Sequence, residues 1–117
     1  MDTPNAFSLL TLLLGLFLGN RLHADEAASD RRREFVRFAR VWQWDIFRKS
    51  GHFTETRPEF IARARGVVRD VRRCRRSRFV GLVDFVERFE DYRLGTEKGR
   101  SDLAVTVENI IGNVDVA

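Results

Sequence analysis

The hydrophobic pattern divides the chain into one uniformly apolar segment and several amphipathic ones. From Ala6 to Gly19, fourteen residues pass without a charge, and Leu, Phe and Gly fall on every side of the helix they would form. That run reaches about 21 Å at roughly 1.5 Å per residue, short of a hydrocarbon core of about 30 Å. Counting from Pro4 to Leu22 gives nineteen residues, nearly enough if Arg21 extends its guanidinium to the headgroups. Thr3 and Pro4 suit the cap and first turn of such a helix. A helix with no polar face makes a poor core element of a soluble fold. The preceding "MDTPN" has none of the Lys or Arg that opens a secretory signal, and bulky Leu22 occupies a key position before Ala24. These features predict a transmembrane anchor over residues 1–24. The alternative is a signal peptide cleaved after Ala24, which would release a secreted helical protein.

Beyond this run the pattern turns periodic. After "HADEAASD", read as a short polar linker over residues 25–30 whose alanines could extend a helix, Ser29 or Asp30 can cap the next element. Phe35, Phe38, Ala39, Trp42 and Ile46 then recur at three- and four-residue spacings, with Gly51 as a stop. Val36, Val41, Trp44 and Phe47 widen the stripe, predicting contact on more than one side. Thr56 with Glu59 three residues on, and Pro58 in the first turn, read as a capping box. From Phe60, at 100° per residue, Ala64, Val67, Val68, Val71 and Cys74 share one face. Without a change of phase, Leu82, Phe85, Val86, Phe89 and Tyr92 land on it too. A single helix from about Pro58 to Leu94 is the first expectation, with a hairpin breaking at "RRCRRSR" near Ser77 as the close alternative. "LGTEKGRS" marks a turn around Gly95 and Gly99. A last helix carries Leu103, Val107, Ile110, Ile111 and Val114, capped by Ser101 or Asp102; a strand over "LAVTV" is the competing reading. The predicted fold class is all-α: one transmembrane helix, then a helical module over 31–117 of three helices, or four if the middle one breaks. In that picture the first and last module helices, about 30 and 20 Å long, cover the two halves of a 55 Å middle helix.

Charge gives the membrane reading a direction. No Lys or Arg precedes the apolar run, while Arg21, Arg31, Arg32, Arg33, Arg37 and Arg40 follow it. The excess of basic residues on one side predicts an N-terminus outside and a module in the cytoplasm, at the bacterial plasma membrane. One cysteine, Cys74, rules out an internal disulfide framework or a Cys-based metal cluster and fits a reducing compartment. Its place on the apolar face predicts a buried thiol. Gly15 and Gly19 form a G-x-x-x-G, a candidate dimer face that would let a second helix approach closely.

The 19 arginines against 2 lysines are unevenly placed. Residues 57–78 carry a net +7 and residues 79–117 a net −4. On the middle helix, Arg65, Arg69, Arg72, Arg73 and Arg76 form a basic stripe opposite the apolar face, and Glu87, Glu90 and Asp91 continue it. Three readings follow: a solvated or hairpin-paired face neutralised within the molecule, a surface for an acidic protein partner or anionic lipid, and a nucleic-acid surface. No known nucleic-acid motif accompanies the arginines, and the nearby carboxylates repel a long duplex. Neither His23 nor His52 has a partnered spacing, no phosphate-cradling glycine motif is present, and no catalytic, metal or cofactor site is predicted. The expectation is a non-enzymatic binding or regulatory module at the cytoplasmic membrane face. Its partner is an unknown protein or anionic lipid, with homodimerisation through the anchor and nucleic-acid binding as alternatives.

Overall fold

A computed structural model describes the backbone of residues 6–48 and 52–115, and the side chains of residues 26–48 and 54–114. Four helices follow one another: α1 (Ala6–Phe47), α2 (His52–Gly66), α3 (Arg76–Arg88) and α4 (Glu97–Asp115). Short 3₁₀ turns fill the joints, at Val68–Asp70 and Arg73–Arg75 between α2 and α3 and at Asp91–Gly95 between α3 and α4. No strand occurs among the described residues, and the β-branched stretch from Leu103 to Val107 lies within α4.

Two compact units divide at Asp30. In the first, the backbone is helical from Ala6 onward, and residues 25–30 continue the helix, with Ser29 and Asp30 inside it instead of capping a new one. Ala27 and Ala28 favour this continuation. The side chains of the expected 1–24 anchor, with Ala24 and the surroundings of Gly15 and Gly19, lie outside the described residues. Among the described residues no helix is long and apolar enough to cross a membrane.

The second unit, residues 31–117, holds the core. Helix α1 contributes Phe35, Ala39, Trp42 and Ile46 of the stripe its spacing predicts, with Phe38 half-buried beside them. Opposite them lie Phe60 and Ala64 of α2, then Phe79, Val83 and Val86 of α3, and Leu103, Val107, Ile110, Ile111 and Val114 of α4. Aromatic rings tie the elements together. Trp42 stacks on Phe60 with centroids 4.3 Å apart, and Phe35 meets Phe60 at 5.7 Å and Phe79 at 6.5 Å. Such pairs add about 0.5–1.5 kcal/mol to the area they bury. The indole N–H of Trp42 donates to Thr56 Oγ1 at 3.0 Å, so the buried ring leaves no polar atom unmet.

That bond displaces the predicted capping box. Helix α2 begins at His52, so Thr56 and Pro58 lie inside it, and Glu59 accepts from Arg63 one turn on. The largest correction concerns the middle helix, which breaks. Val71 and Arg72 adopt extended backbone, with ψ of 141° and 135°, and reverse the chain so that α3 packs against α2. Continued helix would have placed Arg69, Arg72, Arg73, Arg75 and Arg76 at mutual three- and four-residue spacings, each like-charge pair costing a few tenths of a kcal/mol. Folding back also lets both apolar halves enter one core, which a straight 55 Å rod forbids. The scheme of two helices covering one long helix is therefore replaced by four packed helices. Cys74 lies in the joint, and its thiol is exposed.

Helix α3 stops at Arg88, short of the predicted Leu94, because Phe89 and Glu90 turn extended. Helix α4 starts four residues earlier than its expected Ser101 cap. Thr96 is the cap: its hydroxyl accepts the Gly99 N–H at 3.0 Å and donates to the Arg93 carbonyl at 2.7 Å. Gly99 itself faces the Arg93 carbonyl so closely that a Cβ would lie 1.9 Å from the oxygen. Between α1 and α4, Gln43 donates to the Ala104 carbonyl at 3.1 Å and to Glu108 at 3.0 Å, and Arg40 reaches the same carboxylate at 2.6 Å. The Gln43 amide, with Arg40 beside it, holds the Glu108 pKa below its ordinary value.

Two expectations follow. Gly81 and Gly112 have open space around the added carbon, so Gly81→Ala and Gly112→Ala should each raise urea-unfolding stability by about 0.5–1 kcal/mol through helix propensity. Gly99→Ala should instead lower it by about 1–3 kcal/mol, the cost of forcing atoms into filled space. Glu108, with a depressed folded pKa, contributes stability at neutral pH that disappears as pH falls through the folded value. Glu108→Gln should therefore lower stability at pH 7 and flatten the acid limb of a stability–pH curve below about pH 4.5.

Candidate functional site

Folding the middle segment back on itself redistributes the predicted basic stripe. Arg65, on α2, donates to Asp84 of α3 at 3.1 Å and pairs with Glu87 of the same helix. These carboxylates hold its guanidinium pKa above the usual arginine value. Arg57, largely buried, donates to the Phe89 carbonyl at 2.9 Å and pairs with Asp91. Basic and acidic halves of the segment thus neutralise one another along the α2–α3 pair. Arg65 belongs to this pairing, apart from the other four residues of the stripe.

Those four stay together at the joint. From Val67 to Arg78 the chain holds six arginines, Arg69, Arg72, Arg73, Arg75, Arg76 and Arg78, and a single carboxylate, Asp70. Arg69, Arg72, Arg73 and Arg78 are exposed, and Arg75 and Arg76 are half-buried. Asp70 is occupied. Its side chain is 8% exposed, and Arg31 of α1 grips it through Nε and Nη2, each at 3.0 Å, a bidentate fork. Arg32 donates to the Asp70 carbonyl at 3.1 Å. Arg76 turns inward and closes the bend, donating to the Val71 carbonyl at 3.0 Å and the Arg69 carbonyl at 2.9 Å. Two basic runs separated by nearly forty residues therefore meet at one carboxylate and form a basic pole. The hydrogen bonds to Asp70 raise the Arg31 pKa above the usual arginine value.

The stripe read from the sequence finds Arg69, Arg72, Arg73 and Arg76 but omits Arg31, Arg32, Arg75 and Arg78. A local signal for the omission exists: "RRR" at 31–33 and "RRCRRSR" at 72–78 flank a segment whose joint offers one acid.

A second surface lies on α1. Trp42 is core, but Trp44, two residues on, is 68% exposed, beside exposed Val41 and Phe47; of the four residues predicted to widen the stripe, Val36 packs against the core. Arg40, Gln43, Asp45 and Arg48 border them. Among the described residues no group of His, Cys, Asp and Glu is placed to hold a metal ion. The side chains of His23 and His52 lie outside the described residues. No protein-family model matches the chain, and neither the curated proteins nor the solved structures contain a match.

The Arg31–Asp70 fork should be the joint's main fastener. Arg31→Gln and Asp70→Asn should each lower the urea midpoint, and the double variant should lose less than the two single losses combined, as expected for partners in one interaction. Full additivity in that cycle would show that the fork does not hold the corner.

Proposed function

We propose that the chain is a single-pass membrane protein whose arginine-rich helical unit is a non-enzymatic binding module for an anionic partner at the cytoplasmic face. The observation that carries this reading is the basic pole, where a run of six arginines holds one carboxylate, Asp70, already gripped by Arg31 of α1 while Arg32 takes its backbone carbonyl. An arginine fork on a carboxylate or phosphate is charge-assisted and bidentate, so such a surface recognises anions without a pocket. The sequence supports the location. An uncharged run over Ala6–Gly19 is followed by Arg21 and the triple arginine at 31–33, the pattern that retains a flank in the cytoplasm. The rest of the unit supports binding over catalysis: its core is apolar, and the largely buried charged side chains of Asp70 and Arg57 are held in ion pairs with Arg31 and Asp91.

Cys74 provides the test, since it is the one thiol and is exposed. The full chain should fractionate with membranes. In spheroplasts, a membrane-impermeant maleimide should leave Cys74 unlabelled until the membrane is opened, whereas a permeant maleimide should label it at once. Recovery in the soluble fraction, or labelling by the impermeant reagent in sealed spheroplasts, would overturn the reading.

A further inference from the structure

From the geometry of the pole we infer that its ligand is the anionic headgroup layer of the bilayer that holds the chain, so that the pole docks the module onto its own membrane. This rests on the membrane reading above and specifies the partner within it.

Three observations favour a lipid surface. The first is how the pole is built. Two of its arginines are committed to the protein, half-buried Arg76 to two carbonyls and exposed Arg31 to Asp70. Arg69, Arg73 and Arg78 extend exposed from a bend already fixed by other bonds. A fixed bend carrying exposed guanidinium groups suits a plane of phosphates, which demands charge density and no shape complement.

The second is reach. Arg31 lies twelve positions after Gly19, the end of the apolar run, and even a fully extended chain of that length spans only about 40 Å. A pole tethered this closely meets the bilayer at high effective concentration, so contacts too weak to recruit a free protein are enough. Each arginine near an anionic leaflet contributes about a fivefold gain in association.

The third is extent. Arg65 and Arg57 are matched by Asp84, Glu87 and Asp91 along the α2–α3 pair, so the densest run of arginine, Arg69 to Arg78, lies at the joint end of that pair. A nucleic-acid duplex rewards a longer basic track, whereas a headgroup layer needs a single end.

The test uses the full chain labelled at Cys74 with a donor fluorophore and reconstituted into vesicles carrying a headgroup acceptor. One set of vesicles is phosphatidylcholine, the other phosphatidylcholine mixed with phosphatidylglycerol. Energy transfer should be higher on the anionic vesicles and should fall toward the neutral value as salt is raised. Combining Arg69→Glu, Arg73→Glu and Arg78→Glu should abolish the difference. Arg48→Glu, Arg88→Glu and Lys98→Glu together make the same charge change at exposed positions outside the joint and should preserve it. Equal transfer on both lipids, or an anionic response shared by the two triple variants, would overturn the inference. A fluorescent RNA oligonucleotide captured by the pole with no lipid response would overturn it in favour of nucleic acid. Vesicle flotation separates the two proposals: chains that float on both lipids with equal transfer refute only the docking, whereas chains that float on neither at high salt refute the anchor.

Discussion

Everything in the helical unit depends on where the chain reverses between α2 and α3. Two amphipathic stretches lie in phase on either side of a segment dense in arginine, and no single straight helix can bury both faces in one small core. The bend at Val71 and Arg72 resolves this. It turns Ala64 and Val67 toward the same interior as Phe79, Val83 and Val86 and relieves the stacking of like charges that continued helix would impose. What fastens the bend is a contact across the fold: Asp70 lies between Arg31 and Arg32 of α1. The pairing of Arg65 with Asp84 and Glu87 then follows from the reversal.

The parts of this architecture legible in the sequence are those set by local periodicity. The stripe Phe35, Ala39, Trp42 and Ile46 reads directly as a buried helix face, and Leu103, Val107, Ile110 and Val114 do the same for α4. Phase misled where it was most regular. The apolar face continues through residues 67–75 on a helical wheel, but the wheel loses meaning once the backbone leaves the helix. Cys74 therefore projects to solvent, although its angular position placed it among buried valines. Thr56 also carried an ambiguous signal. A threonine three residues before a glutamate resembles a cap, yet its hydroxyl serves the Trp42 indole. Only a tertiary contact decides between the two uses.

The candidate site was half visible for the same reason. Four of its arginines sit in one run and can be read together. Arg31 and Arg32 join them through the carboxylate and the backbone carbonyl of Asp70, 39 and 38 residues away, a separation that no periodicity reports. Arg65 moved the other way, out of the basic group and into a pair with α3, because acids placed a helix away in sequence became neighbours in space. Net charge by segment located the basic block correctly. It could not distinguish charges that remain outward from charges that the fold returns to one another.

Segregating the remaining charge gives the unit a direction as well as a surface. Helix α3, with thirteen residues, separates the arginine joint from the turn carrying Glu90 and Asp91 by about 20 Å. Helix α4 then begins with Glu97, and residues 79–117 together are net negative. At the far turn Arg88 and Arg93 balance Glu90 and Asp91, so the joint is the positive end of an electric dipole along the hairpin axis. A uniform attraction would only hold it near a charged plane, whereas a field acting on a dipole exerts a torque. That torque would turn the joint toward the negative side and the opposite turn away from it, setting which faces remain open to whatever approaches from solution.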